Sequence, residues 1–342
     1  VIVGYPTVSV IVPAYNAAAH ITRALDSVLA QTLPVHEIVV ADDGSTDGTP
    51  DLVEKRYGSR VRLLRLPHTN AARTRVEAVR RSRGEWIAFL DSDDYWLAEK
   101  NERQAEFVRR HPETTWLSSD GAFVQGDRML RPSWLADYFR PVREVRGDLY
   151  ALLAQRCYVL TSSTLVRRAA YDAVGGMDPE QLSAHDYDLW LKLAAAGPGA
   201  IMPDRLILYS FTPGSLSTVR VPRLIENIQV VERLRRGIPR HDLLAERHAA
   251  RRLTGMYWSL ALQQLKQVDP AGARVSFRTA ASAPGPWGLR LLCSAAALIP
   301  GNWSLALRRL GWARRIVREA QYRPEIVQAP EDESSRREAT RP

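Results

Sequence analysis

Cysteine is scarce in this chain. Its 342 residues hold only Cys157 and Cys293, too few and too far apart for a disulfide framework or a zinc site, a usage that fits a reducing cytoplasm. Long apolar runs are lacking as well. The most apolar late stretch, Leu289–Pro300, has about a dozen residues with Arg290 near its start, whereas crossing a bilayer takes roughly 20. No secretory leader is expected, because Val1–Ile2–Val3 is too short for an apolar signal core and a strand already begins near Thr7. No G-x-G-x-x-G follows that first strand, which sets aside a dinucleotide dehydrogenase. Motifs for RNA or DNA are missing too, so nucleic acid is not an expected partner despite a formal charge of +9.

What the chain does have is a globular composition, 45% hydrophobic and 25% charged, enough for one large domain or two ordinary ones. The positive charge is carried mainly by arginine and gathers in the C-terminal half; the first 100 residues are close to balance. Excess arginine suits an anionic membrane surface or phosphorylated substrates.

The N-terminal half alternates strands and helices. Val8–Val12 reads as a strand stopped by Pro13, Ala17–Gln31 as a helix, and Glu37–Ala41 as a second strand. A helix over Pro50–Arg56, a strand over Val61–Leu66 and a helix over Ala71–Arg81 follow, and Gly84 breaks before a strand at Trp86–Leu90. Such alternation predicts a parallel α/β sheet with helices on both faces. Ligands in such sheets bind beyond the carboxyl ends of the strands. Three of these strands run into polar clusters there: Pro13–Asn16, Asp42–Thr49 and Asp91–Asp94.

The last cluster is the most telling. Asp91, Asp93 and Asp94 fall within four positions at the end of a buried strand, where they repel one another and no core requires them. A hard divalent cation, Mg²⁺ or Mn²⁺, offsets such crowding by taking one or two carboxylates and completing its shell with water and phosphate oxygens. Solvated turn residues are the structural alternative.

Farther on, Asn101–His111 reads as a helix, Thr115–Ser119 as a strand and Asp120–Asp148 as a variable loop region. Leu149–Ala154 and Arg167–Val174 read as helices, Val159–Val166 and Ile201–Tyr209 as strands, and a helix starts at His185 with Asp186 at its head. Beyond Pro222 come arginine-rich amphipathic helices: about Arg223–Arg236, Asp242–Lys266, Ala271–Ala283, Leu289–Ile299 and Trp303–Arg318. The pair Gly255–Lys266 and Ala271–Ala283 resembles one tetratricopeptide hairpin, with two ordinary packed helices as the alternative. The basic, Trp-containing last helix either lies on an anionic membrane surface or packs back on the protein. Glu331–Pro342 reads as a disordered tail. The expected division is residues 1–220, a helical region over 221–328, and a tail over 329–342.

Seven ordered motifs between Thr7 and Ser217 together resemble a family 2 glycosyltransferase of the GT-A fold. They are Val8–Asn16, Val39–Asp47, Ala71–Ala72–Arg73, Gly84–Glu85–Trp86, Leu90–Asp94, Gly175–Asp178 and His185–Trp190. The resemblance implies transfer of a sugar from a nucleotide-diphosphate donor to an acceptor hydroxyl, with inversion. It implies a DxD-bound divalent metal (Mn²⁺ or Mg²⁺) on Asp93, with Asp94 as second ligand and Asp91 near the ribose or the metal. Asp43, with Asp42 beside it, would accept the N–H of the base, which favours a UDP-sugar. Pro13, Ala14, Tyr15 and Ser92 would line the nucleotide, and Arg73 would reach the base or diphosphate. Asp186 would be the general base on the acceptor, a glycan or lipid-linked intermediate at the cytoplasmic face of a membrane. Two departures stand out: His185 occupies a usually acidic position, and Thr74–Arg75–Val76 follows Arg73 where Asn and Gly are commoner. The first leaves open a silent nucleotide-sugar-binding or scaffolding protein. No Gln-x-x-Arg-Trp motif or membrane span marks a processive synthase, so single-sugar transfer is expected.

Overall fold

The computed structural model describes residues 4–211, 220–237, 242–266, 269–283 and 287–298. The expected helix over Trp303–Arg318 and the Glu331–Pro342 tail lie outside the described residues.

Strands β1 (Val8–Ala14), β2 (Glu37–Asp42), β3 (Arg62–Arg65) and β4 (Trp86–Phe89) form a parallel group. Between them run helices α1 (Ile21–Leu29), α2 (Thr49–Tyr57) and α3 (Ala71–Arg81). Strand β1 continues through Pro13 to Ala14 instead of stopping at Pro13. Its pairing with β4 ends at Ile11 opposite Phe89, so the missing proline N–H falls where only β2 is still paired.

The sheet is mixed, not all-parallel as the alternation predicted. It also contains β5 (Tyr95–Trp96), β6 (Trp116–Gln125), β7 (Arg128–Arg131), β8 (Val145–Gly147), β9 (Leu165–Arg167) and β10 (Gly199–Ser210). The order is β3-β2-β1-β4-β9-β6-β10-β5, with β7 on β6 and β8 on β10. Short β9 runs antiparallel to both β4 and β6. Only Leu165 and Val166 of the expected Val159–Val166 strand lie in β9, and its centre, Thr161–Ser163, is a turn of 3-10 helix. The Asp120–Asp148 stretch is more ordered than a loop. β6 runs on to Gln125, and the buried Asp120 carboxylate accepts from the N–H groups of Gly121, Trp134 and Leu135 at 2.8–2.9 Å.

Alternate residues of the strands feed two cores, the period-2 signature of a sheet covered on both faces. Val10, Val12, Val40 and Ala88 pack with Ile21, Leu25 and Val28 of α1 and with Phe107 of α4 (Lys100–Arg110). Ile11, Val39, Ile87 and Phe89 face the other way. Their core takes in Trp190 and Leu193 of α7 (His185–Ala196), the helix that follows α5 (Tyr150–Gln155) and α6 (Arg168–Ala173). Ile228 and Val231 of α8 (Arg220–Gly237) and Ala249 and Leu253 of α9 (Leu243–Lys266) belong to that same core. Helix α9 packs on α10 (Pro270–Ser282) through Trp258 and Phe277, with ring centroids 5.0 Å apart. Cys293 of α11 (Trp287–Leu298) closes this smaller cluster. Among the described residues no helix is long and apolar enough to cross a membrane.

Candidate active site

The cleft opens beyond the carboxyl ends of β1, β2 and β4. Register places the site: Ala14 pairs with Asp42, and Ile11 with Phe89, so the segments after all three strands emerge side by side. The first two loops are laced together. Asn16, at φ 48°, accepts the Thr46 N–H at 2.9 Å, and its own N–H donates to Ser45 Oγ at 2.8 Å. The Ala17 N–H donates to Thr49 Oγ1 at 2.8 Å and that of Ala18 to Asp47 at 2.9 Å. A loop pinned in this way keeps its backbone groups satisfied while holding Tyr15 in the cleft wall.

The cleft has a volume of about 780 Å³. Pro13, Ala14, Tyr15, Asp43, Asp91, Ser92, Asp93 and Asp186 all line it. The structure thus brings eight sequence-predicted residues, from four separate segments, to one cavity. At one end Asp43, only 4% exposed, accepts from both the N–H and the hydroxyl of Thr69 at 2.9 and 3.1 Å. His68 Nδ1 lies 3.1 Å from its other oxygen and stacks on Tyr15 with ring centroids 4.2 Å apart.

Three predicted residues lie elsewhere. Asp42 is buried behind the rim, where it accepts the Ser45 N–H at 3.1 Å and shapes the turn. Asp94 is 1% exposed and turned into the protein. Its oxygens accept from the Ser162 hydroxyl at 2.5 Å and the Ser210 N–H at 2.8 Å, so it is not presented to the cleft as a second metal ligand. Burial first, then the charges of Asp91 and Asp93, push its carboxyl well above the ordinary carboxylate range. Arg73 sits on the outer face of α3, exposed and paired with Glu180.

Arg75, two residues on, does line the cleft. It is 7% exposed, ion-pairs with Asp91 and donates to His185 Nε2 at 2.9 Å. A guanidinium can only donate, so His185 Nε2 accepts and the neutral ring carries its proton on Nδ1. Burial, reinforced by the Arg75 charge, pushes His185 below its ordinary value. The departure at His185 therefore gives Arg75 a neutral partner where an acidic residue would give a second negative one. The signal for Arg75 was present in the sequence: with Ala72, Ala78 and Val79 it lies on the buried stripe of α3.

Asp186 stands in the first turn of α7. Its Oδ2 accepts from the Thr161 hydroxyl at 3.1 Å and its Oδ1 from the Tyr187 N–H at 2.7 Å. Sequence reading did not single out Thr161, His68 or Arg223, which also line the cleft. Among the described residues no group of three or more His, Cys, Asp or Glu side chains could hold a metal alone. Asp91 and Asp93 in the wall do fit a Mg²⁺ or Mn²⁺ ion bound by one or two carboxylates, with the rest of its shell from substrate and water.

Residues 9–174 match the model of glycosyl transferase family 2. This chain carries a glycosyl transferase family 2 domain. It is 29% identical over 236 residues to the Escherichia coli UDP-Glc:alpha-D-GlcNAc-diphosphoundecaprenol beta-1,3-glucosyltransferase WfaP, a match covering 68% of this chain and 88% of WfaP. It is 44% identical over 195 residues to the chondroitin synthase of Pasteurella multocida, covering 56% of this chain but only 19% of that much longer protein. Among solved structures, S. aureus TarS residues 1–349 in complex with UDP-GlcNAc align with TM-score 0.63 and 21% identity, over 97% of this chain and 92% of that one. Mannosyltransferase PcManGT of Pyrobaculum calidifontis, with GDP-Man and Mn²⁺, aligns with TM-score 0.55 and 21% identity, covering 93% and 85%. The likeness to both confirms the GT-A sheet with a helical C-terminal region.

Proposed function

We propose that this family 2 glycosyltransferase transfers a sugar, with inversion, from a UDP-sugar to a hydroxyl of a glycan or lipid-linked acceptor. The observation that carries the reading is the shared cleft. Asp43 stands at one end, Asp91 and Asp93 at the mouth of β4, and Asp186 at the head of α7.

Each residue then has a role. The buried carboxylate of Asp43 already takes donors from Thr69 and His68, and the imide N–H of uracil is a donor of the same kind. Pro13, Ala14, Tyr15 and Ser92 enclose the nucleotide. Arg75, rather than Arg73, supplies fixed positive charge close to Asp91 and to the departing diphosphate. Asp93, with Asp91 beside it, would hold a divalent cation, which when bound acts as a Lewis acid on the leaving phosphate oxygens. Asp186 takes the proton of the attacking hydroxyl, held in line by Thr161.

WfaP, by its name, uses UDP-Glc and a diphosphoundecaprenol-linked acceptor, which supports the same donor and acceptor classes here. The arginine-rich C-terminal helices give the protein a cationic surface suited to a peripheral contact with the anionic inner face of the membrane, where such an acceptor is held.

The test is nucleotide release from UDP-, GDP- and dTDP-sugars with Mn²⁺ or Mg²⁺, in wild type, Asp93→Asn and Asp186→Asn. Metal-dependent release of UDP alone, lost in both variants, is the expected outcome. Tight donor binding without release, unchanged by Asp186→Asn, would favour a silent binding protein. No metal-dependent nucleotide binding at all would sink the reading.

A further inference from the structure

Helix α7 carries Asp186 but has no cap of its own. Its N-cap residue is Ala184, whose side chain offers no acceptor, although the first N–H groups of a helix need one. The acceptor comes from 42 residues farther along the chain. Glu226, on α8, turns its carboxylate into the 182–184 turn. There Oε2 accepts from the Ser183 N–H at 2.7 Å, the Ala184 N–H at 3.0 Å and the Ser183 hydroxyl at 2.9 Å. Oε1 accepts from the Leu182 N–H at 3.2 Å. Three consecutive backbone donors thus converge on one carboxylate, which also lies where the helix dipole favours negative charge.

Position makes this clamp functional as well as structural. Leu182, Ser183, His185 and Asp186 all line the cleft, so the clamped turn is the wall from which the Asp186 side chain emerges. Arg223, one turn before Glu226 on α8, lines the same wall. The helix holds α7 at two more points: Arg233 donates to Asp188 at 2.9 Å, and Val231 shares a core with Trp190. These grip the body of α7, whereas Glu226 holds the turn that leads into Asp186.

We propose that Glu226 is the positioning residue for Asp186: by clamping the Leu182–Ala184 amides it sets the angle at which the Asp186 carboxylate meets the acceptor. This rests on the reading of Asp186 as general base. A contribution from outside the family-matched segment, which ends at residue 174, also gives the α8 region a part in turnover.

The experiment compares steady-state nucleotide release, with the donor found active above, for wild type, Glu226→Ala, Glu226→Gln, Asp186→Asn and Glu226→Ala/Asp186→Asn. Nucleotide binding and thermal unfolding are followed alongside. A misplacement of about 1 Å costs up to roughly 100-fold in rate. Glu226→Ala is therefore expected to lower kcat by roughly 10- to 100-fold while the donor KM stays within about twofold. Glu226→Gln keeps one acceptor oxygen and falls between wild type and alanine, so the comparison holds even if the alanine variant folds poorly. If Glu226 acts only through Asp186, the double variant is no slower than Asp186→Asn alone.

Wild-type kcat in Glu226→Ala overturns the proposal, as does a further multiplicative loss in the double variant or a loss confined to KM and nucleotide binding. An inactive Asp186→Asn beside a fully active Glu226→Ala sinks this inference and leaves the proposed function standing. A fully active Asp186→Asn removes the base itself, and both fall together.

Discussion

The ion pair between Arg75 and Asp91 offers the sharpest test of how the site is built. Arg75→Met keeps a long, flexible side chain of similar bulk and removes the charge. The side chains of the pair are 8% and 29% exposed, and Asp91 stands two and three positions from Asp93 and Asp94. Removing one partner of a buried pair costs about 3–5 kcal/mol, because the other charge is left uncompensated. Water reaching Asp91 relieves part of that, and the His185 ring loses a neutral contact worth about 1 kcal/mol. The expected loss is therefore about 2–4 kcal/mol, a fall in Tm of about 5–10 °C at the 2–3 °C per kcal/mol typical of this size. Urea unfolding of Arg75→Met, Asp91→Asn and the double variant reads it directly. Each single change strands a charge, whereas the double removes both. The double should therefore cost about 2 kcal/mol less than the sum. Single variants within 0.5 kcal/mol of wild type, or strictly additive costs, would refute the pairing argument.

Other expectations follow from the same geometry. Arg73→Ala breaks only an exposed pair with Glu180, so stability stays within about 0.5 kcal/mol and donor release is unchanged; a tenfold loss of release would return Arg73 to the site. Lys100 is 1% exposed, donates to Gln104 Oε1 at 2.7 Å and lies over the Trp96 ring, and burial lowers its pKa well below the usual lysine value. The unfolded chain then binds the extra proton between the two values, so stability is fullest above the unfolded pKa, near 10.4, and is lost as pH falls through the folded one. Lys100→Met should abolish that rise in stability with pH, which denaturant midpoints across pH 7–10 would reveal. Gly199→Ala would put a Cβ 2.2 Å from the buried Trp116 ring, so it should cost about 1–3 kcal/mol by overpacking in thermal unfolding; an unchanged Tm would mean that β10 can shift on β6.

How much of this was legible in sequence follows from what each signal measures. Period-2 apolar strands and the polar clusters after them announced β1, β2 and β4 and the rim they share, because burial on both faces forces that pattern. The mixed half of the sheet was legible only in part: the pattern shows strands at the positions of β6 and β10, but neither the full length of β6 nor the antiparallel β9. Polar residues interrupt β6, where Ser118, Ser119 and Asp120 are all buried, so its periodicity is not hydrophobic. Short β9 is flanked by Thr161–Ser163, whose hydroxyls bond their own neighbourhood and the loop of Asp91 instead of continuing a strand. At the site, motif order found the right segments but not always the right atom. Arg73 and Arg75 are two apart on a helix, hence on opposite faces, and only the apolar stripe says which one is inside. The clamp by Glu226 was beyond reach, since nothing local to α7 names a carboxylate from another helix.

The three aspartates at the end of β4, alike in sequence, are made unlike by the fold. Asp94 is drawn inward to Ser162 and Ser210, where burial pushes its carboxyl well above the ordinary carboxylate range. Asp91 spends its charge on Arg75, and Asp93 belongs to the cleft wall. The Ser162 hydroxyl joins two of them, accepting the Asp91 N–H at 3.1 Å while donating to Asp94. Of this run of three carboxylates, only Asp91 and Asp93 therefore face the cleft, and Asp91 does so already paired. That matters for a site expected to receive a diphosphate: three bare carboxylates would repel it, whereas one or two with a hard cation match the small ligand share that Mg²⁺ and Mn²⁺ take from proteins. By this logic the buried partners of Asp91 and Asp94 set how strongly the cleft attracts a nucleotide diphosphate, even though Ser162 and Ser210 do not line it.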